Sequence, residues 1–339
     1  MPLTLQQSKY KNMKYKLFGS KTGLHASEII LGAANFGTRK GYGADPEESK
    51  KILTAYADAG GNFIDVSDVY QFGEAEEIVG NFIQGRRSNF IICSKYTRSS
   101  DPSPAISNFG NNRKSMRQAV EQSLKRLKTD YIDIYMPHYD DGVTPLEEIA
   151  IGLQDLIREG KILYAGLTNF PAWKASAIAS AIKLTALQIE YNLLKRTADR
   201  ELIPMAKEFG LGVMMYSPLA GGLLTAKYRK GEAGRISHSN DTEYTEDEKT
   251  KLVIDELISI AEKYEATPGQ IAFAWNLSKE AFPLLGARNL NQFEQSISAT
   301  EINLTAEELA KLDALSSISL GYPHDLLNTV RGSFLKDSN

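Results

Sequence analysis

The sequence predicts an α/β protein of the (β/α)8, or TIM-barrel, class, with an N-terminal β-hairpin and long loops at the C-terminal face. Three observations carry this expectation. Short apolar runs recur along the chain at Ile29–Gly32, Asn62–Ile64, Phe90–Cys93, Ile132–Met136, Leu163–Leu167, Ala186–Ile189, Gly212–Met215 and Pro283–Leu285. Runs this short and this apolar suit strands buried on both faces, as parallel strands between crossover helices are. Segments with helical spacing lie between them, and eight such units over roughly 260 residues are the count that closes a barrel. The rival architecture, an open doubly wound sheet, carries a G-x-G-x-x-G turn after its first strand. Gly32-Ala33-Ala34-Asn35-Phe36-Gly37 departs from that pattern.

The elements follow in order. Tyr15–Phe18 and His25–Ile29 flank Gly19-Ser20-Lys21-Thr22-Gly23, which reads as a hairpin closing the barrel floor. After the first strand, Ile52, Ala55, Tyr56 and Ala59 form one helical face, stopped by Gly60-Gly61. A polar loop, Asp101–Asn112, follows the third strand, and Met116, Val120, Leu124 and Leu127 form the next helical face. Thr144-Pro145-Leu146-Glu147 reads as a cap, a proline and a first-turn acid. The helix it opens shows Leu146, Ile149, Leu153, Leu156 and Ile157 on one face and ends at Gly160. Gly210 ends another helix before the seventh strand, and Arg229–Lys249 is a long polar excursion after it. The last 18 or so residues show no clear pattern. The whole chain, 1–339, is expected to be one barrel domain, with 1–12 a flexible tail.

Bulk composition narrows the function. Hydrophobic content of 42% and charged content of 24% describe an ordinary soluble globular protein. A formal net charge of −3 with no block of like charge argues against a nucleic-acid surface. No run approaches the ~18 apolar residues that span a bilayer. A single cysteine, Cys93, sits inside an apolar run; it excludes an intramolecular disulfide and fits a reducing, cytoplasmic setting. The histidines His25, His238 and His324 are scattered, so no metal site is expected.

Four polar residues fall just after apolar runs: Asp65, Tyr70, Lys95 and His138. If the strands are parallel neighbours, all four side chains gather at one mouth of the sheet. A carboxylate, a phenol, an ammonium and an imidazole meeting there can move a proton to or from a carbonyl oxygen. The neighbouring Asp68 reads as the acceptor of a loop hydrogen bond.

The text around these residues is Gly61-Asn-Phe-Ile-Asp65-Val-Ser-Asp-Val-Tyr70, with Gly73 and Glu76-Glu77 downstream. It continues with Leu127-Lys-Thr-Asp-Tyr-Ile-Asp-Ile-Tyr-Met-Pro-His138, Gly160-Lys-Ile-Leu-Tyr-Ala-Gly-Leu-Thr-Asn169, Leu187-Gln-Ile-Glu-Tyr-Asn192, Tyr216-Ser-Pro-Leu-Ala-Gly-Gly222 and Gly286-Ala-Arg288. In order and over about 300 residues, this resembles the aldo-keto reductase family, in its bacterial-type branch with aryl-alcohol-dehydrogenase-like members.

The resemblance implies an NAD(P)H-dependent enzyme that reduces an aldehyde or ketone. Tyr70 would be the general acid, with Lys95, held by Asp65, lowering its pKa and His138 orienting the carbonyl. Thr168, Asn169 and Gln188 would bind the nicotinamide carboxamide, with Asn35 and Asp65 nearby, and Tyr216 would stack on the ring. Ser217, Leu219 and Gly222 would line the pyrophosphate path, and Gly286, Arg288, Gln292 and Ser296 the adenosine end. Some members carry a Lys-Ser pair, then an arginine, then Glu-Asn in this last region. This chain has Gly286-Ala287, Gln292 and Gln295-Ser296 there, leaving Arg288 as the evident partner for a 2′-phosphate. NADPH (NADP+) is therefore expected, with NAD(H) as the alternative. Phe36, Tyr96, Tyr139 and Trp173 are candidate walls of an apolar pocket for a small-molecule carbonyl or alcohol. Oxidation of a sugar or aryl alcohol by the same residues stands beside reduction. A cofactor-binding regulatory subunit and a Schiff-base barrel built on Lys95 stand further off.

Overall fold

Phe18 marks the floor of the molecule. Its ring lies inside the barrel, 5.3 Å from Phe63 and 5.0 Å from Phe282. A Cβ at Gly212 would come within 2.6 Å of the Phe18 ring, so only glycine fits opposite it. Burying a phenylalanine here contributes about 1.5–3 kcal/mol. The ring is delivered by two antiparallel strands, β1 (Tyr15–Leu17) and β2 (His25–Ser27), the hairpin expected from the sequence. The structure, a computed structural model, describes residues 13–232, 234 and 246–336.

Eight parallel strands follow: β3 (Ile30–Gly32), β4 (Phe63–Asp65), β5 (Ile91–Tyr96), β6 (Ile132–Pro137), β7 (Ile162–Thr168), β8 (Leu184–Glu190), β9 (Gly212–Tyr216) and β10 (Phe282–Gly286). They close in the order β10-β3-β4-β5-β6-β7-β8-β9, with one strand on each predicted apolar run. The helices around them are α1 (Pro46–Asp58), α2 (Glu74–Ile83), α3 (Arg113–Leu127), α4 (Leu146–Arg158), α5 (Ala172–Ala181), α6 (Leu202–Phe209), α7 (Glu248–Lys263), α8 (Pro268–Leu277), α9 (Leu290–Ile297), α10 (Ala306–Ser316) and α11 (His324–Lys336).

Local signals set several boundaries. Asp45 caps α1 through the Glu48 N–H, with Pro46 in the first turn. Thr267–Gln270 and Thr305–Glu308 form reciprocal capping boxes on α8 and α10. Gly210 ends α6 in the left-handed conformation.

The core has two compartments. Phe63, Cys93, Met136, Ala186 and Met214 point into the barrel beside Phe18, while a larger apolar layer fills the space between strands and helices.

Three expectations need adjustment. Thr144 does not cap α4: Pro145 takes that position, and the Thr144 hydroxyl donates to Asp141 Oδ2 at 2.6 Å. The terminal stretch read as patternless carries α11, whose residues 325–331 are exposed, with Leu326, Leu327 and Val330 on one face. The excursion after β9 is shorter than 229–249. Arg229 and Lys230 close a 3-10 turn, Lys249 lies in α7, and 233 and 235–245 fall outside the described residues, as does the expected tail 1–12.

Candidate active site

Side chains two residues apart on a strand point the same way. Phe63, Cys93, Met136, Ala186 and Met214 face the barrel interior. The residues two further on are Asp65, Lys95, His138, Gln188 and Tyr216, which the strands therefore carry inward at their C-terminal ends. That is the end of the barrel where loops are free to build a site.

Lys95 is the centre of this cluster. Its ammonium donates to Asp65 Oδ2 at 2.7 Å, the Val66 carbonyl at 2.9 Å and the Tyr70 hydroxyl at 3.4 Å. These contacts use all three of its donors. The Lys95 and Asp65 side chains are 0% and 1% exposed, so neither charge is stable there without the other. Burial works against the Lys95 charge, but Asp65 and Tyr70 together raise its pKa above the usual lysine value. Gln188 Nε2 donates to the other carboxylate oxygen, Asp65 Oδ1, at 2.7 Å.

Tyr70 reaches Lys95 from an unusual turn. Gln71 and Phe72 both have positive φ, 51° and 55°, a conformation that costs non-glycine residues energy and that persists only where surroundings enforce it. The buried Gln71 amide does so, donating to the Tyr42 carbonyl at 2.9 Å and accepting from the Lys40 N–H at 2.8 Å. The expected lowering of the Tyr70 pKa is corrected. Burial raises it more than Lys95 lowers it, because the low-dielectric surroundings disfavour the phenolate. In this site Tyr70 is a protonated phenol, a donor.

His138 lies across from it, ring centroids 5.7 Å apart in an edge-to-face arrangement. Burial, then Lys95, Arg98 and Lys40, push its pKa down to about 3, so the ring is neutral. Its Nδ1 is 3.1 Å from Ser67 Oγ.

The other predicted positions spread along the same rim. Thr168 Oγ1 is buried at the end of β7 with no partner among the described residues. Asn169, at φ 57°, is already engaged: Nδ2 donates to the His138 carbonyl at 2.9 Å, and Oδ1 accepts from the Tyr216 hydroxyl at 2.8 Å. Asn169 thus fixes the Tyr216 ring at the mouth. Ser217 (φ 55°), Leu219 and Gly222 (φ 100°) form a contorted turn after β9. Asn192 and Asn276 pin that turn by donating to the Ser217 carbonyl at 2.9 Å and the Pro218 carbonyl at 3.3 Å. Gly286 is exposed, and a Cβ there would make only ordinary contact with Asn35 Nδ2 at 3.8 Å. The protein itself does not demand glycine at that position. Arg288 follows it with no carboxylate paired to its guanidinium among the described residues; its N–H donates to Gln292 Oε1 at 3.0 Å. Ser296 lies one turn beyond Gln292 on α9.

Lys227 is a cation the sequence reading missed. It lies under Gly222, and burial followed by Arg288 lowers its pKa. Two cations that disfavour each other beside a turn rich in left-handed backbone make a place for an anion. Its position two residues after Gly221-Gly222-Leu223-Leu224-Thr225 was the available signal. An unpartnered Thr168 hydroxyl, an unforced glycine and this cation pair fit a phosphorylated dinucleotide lying along the rim. Of the proposed pocket walls, Phe36 and Tyr96 are fully buried, Tyr96 stacked on Tyr135, while Trp173 is 67% exposed.

Known proteins bear on this geometry. The model of the aldo/keto reductase family matches residues 28–317. The chain is 35% identical over 319 residues to an uncharacterized oxidoreductase, YrpG, of Bacillus subtilis, covering 89% of this chain and 95% of that one. It is 32% identical over 330 residues to an aryl-alcohol dehydrogenase (NADP(+)) of Phanerodontia chrysosporium, covering 89% and 86%. It is 31% identical over 330 residues to a norsolorinic acid reductase of Aspergillus flavus, covering 92% and 84%.

Proposed function

The chain belongs to the aldo/keto reductase family and is an NAD(P)H-dependent oxidoreductase; we propose that it uses NADPH to reduce an aldehyde or ketone, with Tyr70 as the proton donor. The observation that carries this reading is the Lys95 ammonium, held by Asp65 at 2.7 Å and 3.4 Å from the Tyr70 hydroxyl. A buried phenol is a strong enough hold on its proton to stay protonated at rest. The adjacent ammonium stabilises the phenolate left once the proton has gone to the substrate oxygen. The neutral His138 ring supplies a second hydrogen bond to that oxygen and helps orient the carbonyl.

The cofactor, when bound, supplies the hydride. Thr168 Oγ1 and the carbonyl end of Gln188 are the groups left to hold a carboxamide, since Gln188 Nε2 is committed to Asp65. Tyr216 offers its ring face, the turn at Ser217, Leu219 and Gly222 receives the pyrophosphate with Lys227, and Arg288 takes the 2′-phosphate. Asn35, Gly286, Gln292 and Ser296 border the adenosine end. Alcohol oxidation runs through the same groups in reverse, and the Phanerodontia relative's name favours keeping it as the second reading.

Tyr70→Phe tests the assignment. Reduction of an aromatic aldehyde should fall about 10²–10⁴-fold, the usual worth of general-acid assistance, while NADPH affinity by fluorescence titration stays close to wild type. Retained turnover would remove Tyr70 from the role.

A further inference from the structure

Ser67 and Asp68 are fully buried in the turn between β4 and Tyr70. Ser67 Oγ stands between His138 Nδ1 at 3.1 Å and Asp68 Oδ1 at 3.2 Å. The Lys95 carbonyl, at 3.4 Å, is the longest of its contacts. A hydroxyl has one proton to donate, so Ser67 cannot donate to the histidine and the carboxylate together. Asp68 Oδ2 has no partner among the described residues. Asp68 also borders a cavity of about 460 Å³, with Tyr96, Ser99, Asn108, Gln118 and Arg126.

We propose that Asp68, acting through Ser67, is a positioning residue that sets which nitrogen of His138 carries the ring proton, and so whether His138 offers the substrate oxygen a donor or an acceptor. This rests on the proposed reading of Tyr70 and His138 as the groups that face that oxygen.

Two states follow from the hydrogen-bond inventory. With Asp68 protonated, the proton belongs on Oδ1, where Ser67 Oγ accepts it. On buried Oδ2 it would be an unsatisfied donor, at a cost of about 1–3 kcal/mol. Ser67 then donates to Nδ1, and the neutral ring carries its proton on Nε2, a donor suited to a carbonyl. With Asp68 ionised, the carboxylate only accepts. Ser67 donates to it, Nδ1–H donates to Ser67, and Nε2 keeps a lone pair suited to an alcohol proton.

The passage balances. The Asp68 O–H breaks as a Ser67 O–H forms, the former Ser67 proton moves to Nδ1, and the Nε2 proton leaves to the oxygen or solvent before it. Asp68, Ser67 and Nε2 hold protons in the first state, and only Ser67 and Nδ1 in the second.

The electrostatics allow Asp68 to be the group that changes near neutrality. Burial, with Glu76 adding, pushes its pKa up to about 7, against Arg126, the Ser67 hydroxyl and the Val69 N–H. Glu76 is itself paired with Arg126 at 2.7 Å and accepts from Ser94 at 2.6 Å. Lys40 and Tyr135 also feel Asp68, and Asp101 and Glu121 border the same cavity. His138, facing Lys95, Arg98 and Lys40, stays neutral throughout.

The test is ¹⁵N NMR of the full chain labelled at histidine, with His138→Gln to assign its signals. Between about pH 5 and 8 the His138 nitrogens should exchange their N–H and lone-pair signatures, with a midpoint near 7. In Ser67→Ala and in Asp68→Asn the exchange should vanish, and in Asp68→Asn carbonyl reduction should lose its fall at alkaline pH. If Asp68→Asn does not fold, Ser67→Ala alone decides. A single His138 tautomer across the range, or an exchange that survives Ser67→Ala, overturns the proposal while leaving Tyr70 untouched. Absence of aldehyde reduction by the wild-type protein would instead strike the underlying reading, and the NMR result would still stand on its own.

Discussion

Gln188 and Asp65, 123 residues apart in the chain, meet inside the barrel: Gln188 Nε2 donates to Asp65 Oδ1 at 2.7 Å. The carboxylate is thus held at both oxygens, by Lys95 on one and Gln188 on the other. A carboxylate accepts only, so the contact fixes which end of the Gln188 amide faces it.

Gln188→Ala should leave a buried carboxylate oxygen without its donor. The expected loss is about 1–3 kcal/mol of stability, read as a lower denaturant midpoint at unchanged slope. Reduction should weaken too, as Asp65 is freed to shift and Lys95 with it. Wild-type stability would mean that solvent replaces the contact at no cost.

Arg288 and Lys227 should separate on cofactor choice. Arg288→Ala removes the charged hydrogen bonds expected at a 2′-phosphate, worth about 1.5–3 kcal/mol, or roughly 10–150-fold in NADPH affinity, with NADH little changed. Lys227→Ala, beneath Gly222, should weaken both dinucleotides alike. Titration with each cofactor decides, and equal losses for Arg288→Ala would refute its phosphate role.

Phe18→Ala should test the floor without touching the mouth. Removing a buried phenylalanine typically costs about 3–5 kcal/mol, so thermal unfolding should move down clearly. At a temperature where the variant is folded, its Tyr70-dependent turnover should match wild type. A variant as stable as the parent would show that the hairpin is not the plug of the barrel.

The barrel was legible in the chain because its strands are covered on both faces. Runs such as Ala186–Ile189 are mostly apolar, and a glycine or a capped turn separates several of them from their helices. The tetrad was legible because Asp65, Lys95 and His138 each interrupt apolar text at a strand end. Lys227 was not, since a lysine after a glycine-rich turn looks like any solvated lysine until Arg288, 61 positions away, is placed beside it. Asp68 looked like a loop residue, and it does accept from Ser67, but a sequence does not show that its second oxygen is sealed from partners.

What the sequence by itself determined was periodicity and position: eight buried strands, the helices between them, and which residue types stand at their ends. Only the tertiary structure decided protonation and pairing. Closing the barrel removes water from Lys95 and Asp68 and leaves Tyr70 and His138 half-buried at its mouth. In that low dielectric each group's charge depends on its neighbours across the barrel: Lys95 keeps its charge through Asp65, His138 loses its own, and Tyr70 holds its proton.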